Sequence, residues 1–265
     1  MNTAPSNGTA VITGASAGIG AIYADRLAKR GFDLILVARS AGRLDTLADR
    51  LRAETGRSVT TLVADLTDRA GMAKVEAVLR RDETIMMLIN NAGVGSVQSI
   101  LQADVDVMTA MIDLNVTALT RLTYAVVPAF VARGAGTIVN ISSVVGIAVE
   151  ALNGFYSASK SYVLSFGHSL QKDLADKGVR VQTVLPGATA TDFWDVAGYA
   201  PQKTAEITMR ADDLVDAALA GLDQGELVTI PGLHDDGAWA RWEQERRDLA
   251  PKFRNAKPAP RYGVA

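Results

Sequence analysis

Short β-branched runs alternate with longer helix-periodic segments along most of this chain, and no other property restricts its fold so tightly. Strand-length runs fall at Thr9–Thr13, Asp33–Ala38, Val59–Ala64, Ile85–Ile89, Gly136–Ile141, Arg180–Leu185 and Leu227–Ile230. Between them lie Ile19–Arg30, Arg43–Thr55, Asp68–Arg80, Val105–Val131, Tyr156–Asp176 and Ala211–Leu222, each with apolar residues at helical spacing. Gly31, Gly56 and Gly178 follow three of these helices as stops. Alternation of this kind predicts an α/β fold, a parallel sheet with helices on both faces. The continuously apolar strands fit a sheet buried on both sides. No repeat or linker interrupts 9–232, so the chain reads as a short tail at 1–8, one domain at 9–232 and an extension at 233–265.

Composition narrows the chemistry. The 265 residues carry 27 Lys plus Arg against 29 Asp plus Glu, and this near-balance offers no charge excess for nucleic acid or an anionic membrane. There is no cysteine and only two histidines, His168 and His234, so a metal centre or a serine–histidine triad is not expected. The first residues lack the basic-then-apolar pattern of an export signal, and no uninterrupted apolar run approaches the roughly 18 residues of a membrane span. A cytoplasmic location is the expectation.

Thr13-Gly-Ala-Ser-Ala-Gly-Ile-Gly20 follows the first strand and opens the first helix. Gly14 suits a tight turn, Gly18 lets backbone approach a pyrophosphate, and Gly20 permits close helix–strand packing. The helix start supplies amide hydrogens and a partial positive charge to phosphates. A tight βα turn without a ligand is the plain alternative. The second strand ends in Val37-Ala-Arg-Ser40, with no acid for a ribose 2′-hydroxyl. Arg39 and Ser40 suit a 2′-phosphate instead, which predicts NADP(H) over NAD(H), with NAD(H) still possible. Ala17, and not a basic residue, precedes Gly18, which puts the preference mainly on Arg39.

Tyr156 and Lys160 stand four apart in a helical segment and so share a face. A lysine cation there favours the phenolate and draws a poor acid toward the working pH range. Alone the pair is a frequent accident, a surface tyrosine beside a solvated lysine.

The glycine turn, Asn90-Asn-Ala-Gly93, Ser143, Tyr156-x-x-x-Lys160 and Pro186-Gly187, taken in order, resemble the short-chain dehydrogenase/reductase family over about residues 9–232. The resemblance is to its compact single-domain members. It implies a Rossmann-type doubly wound sheet of about seven parallel strands, a homotetramer or homodimer, and reversible hydride transfer between a nicotinamide and a carbonyl carbon. Carried over by motif, Ser143, Tyr156, Lys160 and Asn115 are the implied catalytic set, with Ser142 the neighbouring competitor of Ser143. Asn115 is the implied water-holding asparagine; a structural hydrogen bond is its other reading, and the two are compatible. Implied cofactor contacts are Gly14, Ser16, Gly18, Ile19 and Gly20 in the turn, Arg39 and Ser40, Asp65 and Leu66 at the adenine, and Asn91, Ala92 and Gly93. Tyr156 and Lys160 also serve the cofactor, followed by Pro186, Gly187, Thr189 and Thr191. Asn90 and Asn91 also suit a role in bracing the sheet.

In this scheme Ser143 hydrogen-bonds the carbonyl oxygen, Tyr156 protonates it, and Lys160 lowers the tyrosine pKa and holds the ribose. Substrate-wall candidates are Ser143, Val145, Leu152, Asn153, Phe193 and Trp194, with a substrate loop at about 188–210. Gly95, Val149, Phe155 and Ala188 are further wall positions. The set is mostly apolar and carries no cation for a carboxylate or phosphate. The expected activity is therefore an NADPH-dependent carbonyl reductase or alcohol dehydrogenase for a hydrophobic ketone, aldehyde or secondary alcohol. A 3-oxoacyl thioester reductase is the alternative enzyme. A non-catalytic NADP-binding sensor or scaffold is the alternative of a different class. Trp239 and Trp242 are three apart and predict an apolar stripe on a helix in the extension.

Overall fold

The computed structural model describes residues 6–152, 154–191, 193, 205–235 and 237–264. By internal contacts the chain divides into two compact units, one up to Pro231 and one from Gly232. The first holds the sheet. Its strands are β1 (Thr9–Thr13), β2 (Asp33–Ala38), β3 (Val59–Val63), β4 (Ile85–Asn90), β5 (Gly136–Ile141), β6 (Val179–Val184) and, after two short strands described below, β9 (Val228–Thr229). All pair in parallel, in the order β3-β2-β1-β4-β5-β6-β9. This is the parallel sheet expected from the alternation, in the seven-stranded Rossmann-type form that the family resemblance implies.

Period-two alternation sends successive strand residues to opposite faces. Ala10 and Ile12 of β1 join one buried cluster with Leu34 and Leu36 of β2, and Val11 joins the other with Ile35 and Val37. The first cluster is covered by α1 (Gly18–Lys29), α2 (Ala41–Thr55) and α7 (Ala211–Asp223) through Leu27, Leu44, Leu51, Leu214 and Leu219. The second is covered by α3 (Arg69–Arg81), α5 (Leu119–Arg133) and α6 (Gly154–Leu174) through Met72, Leu79, Leu122, Phe130 and Leu170. Each fully buried leucine or isoleucine contributes about 1.5–3 kcal/mol relative to an exposed one. Gly56 and Gly178 close their helical segments in the left-handed conformation, at φ 68° and 71°.

The segment expected as one helix at Val105–Val131 is three pieces. A helix α4 (Val105–Ile112) runs into a π turn, Asp113–Ala118, and then into α5. A π turn carries an extra residue, and hydropathy spacing does not register it. By length and composition Val105–Arg133 would suffice to cross a membrane, although no uninterrupted apolar run stands there in the sequence. Here Leu119, Leu122, Val126 and Phe130 are core residues.

Part of the expected substrate loop is regular: β7 (Thr189–Ala190) pairs in parallel with β8 (Met209–Arg210). Two-residue strands are too short for a period to show. In the second unit α8 (Ala238–Leu249) carries Trp239 and Trp242 with their rings stacked 4.8 Å apart, and Arg246 and Arg247 pair with the buried Glu243.

Candidate active site

The strand order reverses direction between β1 and β4, and loops diverge there to leave a crevice beyond the strand ends. A cleft of about 340 Å³ lies along it, lined at one end by Gly14, Gly18, Ile19 and Arg39 and at the other by Ser143, Tyr156, Lys160 and Phe193.

The turn into α1 is built for close approach. Gly14 and Gly18 have φ of 66° and 53°, which only glycine adopts without strain. A Cβ on Gly20 would stand 2.4 Å from the Gly14 carbonyl oxygen, so the helix can abut its own turn only with glycine there. Thr13 ties this turn to the next strand: its Oγ1 accepts from Asn91 N and Ala92 N, both at 3.0 Å. Asn91 Nδ2 returns a bond to Thr13 O at 2.8 Å. Ala17, the N-cap residue of α1, makes no side-chain capping bond, and the first turn holds no acid. Amide donors and the positive end of the helix dipole therefore face the cleft with no acid in that first turn.

At the far end of β2 the Arg39 side chain is 74% exposed, with Asp65 3.9 Å away. The Ser40 hydroxyl makes no capping bond to α2, although Ser40 is the N-cap residue. Asp65 is occupied with Thr67, whose N and Oγ1 both donate to Oδ1 and hold its pKa down.

The other end is set by β5 and α6. Ser143 follows β5 and donates from Oγ to Pro186 O at 3.2 Å. Ser142, its competitor, donates to Lys160 O and so serves the α6 backbone. Tyr156 and Lys160 lie on the buried side of α6, with Nζ 5.8 Å from the phenol ring centroid. Nζ donates to Ile141 O at 2.9 Å. Burial pushes the Tyr156 phenol up to about 12, opposed by a hydrogen bond with Ser143. Burial also draws the Lys160 ammonium down to about 8. The expected lowering of the phenol by lysine is thus not what governs this site without a ligand. Desolvation, the largest cause for each group, disfavours both charged forms.

Asn115 sits in the π turn with its side chain fully engaged. Its Oδ1 accepts from Val94 N at 2.9 Å, and Nδ2 donates to Val94 O at 2.8 Å and Ser159 Oγ at 3.1 Å. The structural reading of its side chain therefore holds. Asn90 braces the sheet through Thr123 and Asn140.

A family model described as short chain dehydrogenase matches residues 8–199. The chain belongs to the short-chain dehydrogenase family. Among solved structures it is similar to a short-chain dehydrogenase from Sphingobium yanoikuyae in complex with NADPH, at 49% identity and a TM-score of 0.93, covering 96% of this chain and 100% of that one. It is also similar to the bulky-bulky ketone specific alcohol dehydrogenase from Comamonas testosteroni, at 44% identity and a TM-score of 0.90, covering 97% and 99%. Among curated proteins it is 33% identical to an uncharacterised oxidoreductase of Staphylococcus saprophyticus over 83% of this chain and 93% of that protein.

As a short-chain dehydrogenase, the chain is an oxidoreductase, and most of its expected site residues meet at the cleft. Asn91, Ala92 and Gly93 line it in the middle, Pro186, Gly187, Thr189 and Thr191 along one side, and Val145, Leu152 and Phe193 at the apolar end. Ser16, Gly20, Ser40, Asp65, Leu66 and Asn115 are not among the lining residues. Gly20 is turned to Gly14, Leu66 is packed in the core, and Asn115 is turned to Val94. Asn153 and Trp194 lie outside the described residues.

Residues not singled out from sequence also contribute. Arg43, in the first turn of α2, lines the cleft with Arg39 and adds a second guanidinium there. Met108 and Met111 of α4 form a buried cluster with Val145 and Tyr156, against which Val94, Leu152, Phe155 and Phe193 pack. Their sequence pattern is that of any core helix.

Proposed function

We propose that this short-chain dehydrogenase interconverts ketones and secondary alcohols with NADP(H), on substrates carrying bulky apolar or aromatic groups. The observation that carries this reading is the convergence of Ser143, Tyr156 and Lys160 on one cleft that joins a phosphate-type glycine turn to an apolar pocket. NADPH, when bound, supplies the hydride from its nicotinamide ring. The α1 start and its glycines fit the pyrophosphate, and Arg39 with Arg43 fits a 2′-phosphate dianion through paired guanidinium donors. The Sphingobium relative, described in complex with NADPH, supports this cofactor.

As negative charge develops on the substrate oxygen, Ser143 Oγ turns from Pro186 O to donate to it. The phenol of Tyr156 is protonated at neutral pH and serves as the acid that delivers a proton to that oxygen. Lys160, with a pKa of about 8, is still mostly charged at neutral pH and offsets the phenolate left behind. The apolar lining of Val145, Leu152 and Phe193 is backed by the buried Met108 and Met111, whose flexible side chains suit irregular apolar shapes. The Comamonas relative, described as specific for bulky-bulky ketones, supports this substrate class.

The test is NADPH consumption by the purified protein across aryl ketones, aldehydes and acyl thioesters. Fastest turnover is expected with apolar ketones and with NADPH over NADH. No consumption with any ketone, or a preference for acyl thioesters, would overturn the proposal.

A further inference from the structure

We propose that Gly95 and Phe193 form a coupled size selector for the substrate pocket, in which the missing side chain of one is the seat for the other's ring. The inference rests on the ketone reading above and deepens it. Gly95 is not among the glycines with positive φ, so its backbone would accept any residue. What leaves no room for a side chain is the ring. A Cβ built on Gly95 would stand 2.5 Å from Phe193 Cζ and 3.0 Å from Cε1. Carbon atoms in contact prefer about 3.5–4.0 Å, so one methyl group would displace the ring by about 1 Å.

The displacement falls on the ring because the opposing backbone is fixed. Val94, adjacent to Gly95, has both its N–H and its C=O held by Asn115. The Phe193 ring in turn lies 5.8 Å from the Tyr156 ring, tilted by 46°. It also packs on the cluster of Met108, Met111 and Val145. Any shift of this ring changes the space beside the phenol, where the groups flanking a substrate carbonyl must fit. A ring seated on Gly95 is thus a wall of the pocket, and its position is set by a residue with no side chain of its own.

The experiment is a double-mutant cycle read as the ratio of kcat/KM for benzophenone to that for acetophenone, with NADPH. Phe193→Ala should raise this ratio by about tenfold, the size of effect a small change in an apolar pocket produces. Gly95→Ala should shift the ratio by about tenfold when Phe193 is present and by less than about twofold in the Phe193→Ala background. Additive effects, or an unchanged ratio in both single variants, would overturn the selector. Should Gly95→Ala fail to fold, recovery of folding in the double variant supports the coupling, and failure of both together with an unchanged ratio in Phe193→Ala rejects it. Affinity for NADPH, read by its fluorescence, should stay within about twofold throughout; a loss of tenfold or more in either variant would mean that the pair shapes the cofactor site instead. If the wild type reduces no ketone, it is the proposed function that fails. The selector is then judged by binding of the same two ketones to the NADPH-loaded protein, with the same non-additivity required.

Discussion

Asn115 clamps Val94 by both of its backbone groups, accepting from N at 2.9 Å and donating to O at 2.8 Å. The clamp joins the π turn between α4 and α5 to the loop that forms the middle of the cleft, and its third bond, to Ser159, reaches α6. One buried side chain therefore ties together three elements that carry the site.

Removing it should be costly. Asn115→Ala leaves the Val94 amide and carbonyl without these partners, which should lower stability by about 2–3 kcal/mol. Urea unfolding of the ligand-free protein measures this. A change below about 0.5 kcal/mol would show that the clamp is dispensable.

Proton delivery is tested by Tyr156→Phe. The variant should bind NADPH as the wild type does but reduce ketones about 10²–10⁴-fold more slowly. Ser143→Ala should cost about 10²–10³-fold in kcat, with little change in NADPH affinity. Steady-state kinetics paired with NADPH fluorescence titration separates these effects. Near-normal turnover in the tyrosine variant would exclude it as the acid.

Cofactor choice should respond to Arg39→Asp. The variant loses the exposed guanidinium and gains a carboxylate near Asp65, which together disfavour a phosphate dianion. The ratio of kcat/KM for NADPH to that for NADH should fall by about 10- to 100-fold, as expected for loss of a charge-assisted hydrogen bond. Arg43→Ala should move the ratio in the same direction. An unchanged ratio in both variants would remove the arginines from the selection.

The buried lysine predicts a pH dependence of stability. Its folded pKa is about 8, against 10.5 for the free group. Below pH 8 both states hold the proton, and the fold bears the cost of a buried cation. Between 8 and 10.5 the unfolded chain binds more protons than the folded one, so stability rises with pH. Tyr156 acts in the opposite sense from 10 to about 12, where the unfolded chain gives up its proton first. Lys160→Met should therefore raise the Tm of the ligand-free protein at pH 7, and the gain should shrink toward pH 10. A gain that does not vary with pH would place the effect in packing and not in charge.

The alternation of apolar runs was enough to locate seven strands of one parallel sheet, because both periods are local properties of a few consecutive residues. The glycine turn was legible for the same reason: Gly14, Gly18 and Gly20 act within one βα connection. Ser143, Tyr156 and Lys160 could be named because the family resemblance rests on motifs that place each of them at a fixed spacing. What the sequence did not determine lies in contacts between distant segments. The π turn at Asn115 differs from a helix by one residue of register, and its purpose appears only with Val94 and Ser159 around it. Lys160 is four residues from Tyr156, but burial draws its pKa down, and that burial is not visible until α6 packs on β5. Gly95 reads as one more loop glycine until the Phe193 ring, from a segment remote in sequence, is found where its side chain would be. Local periodicity thus determined the scaffold, whereas desolvation and close packing, which exist only once the chain has closed, decided the electrostatics and the shape of the site.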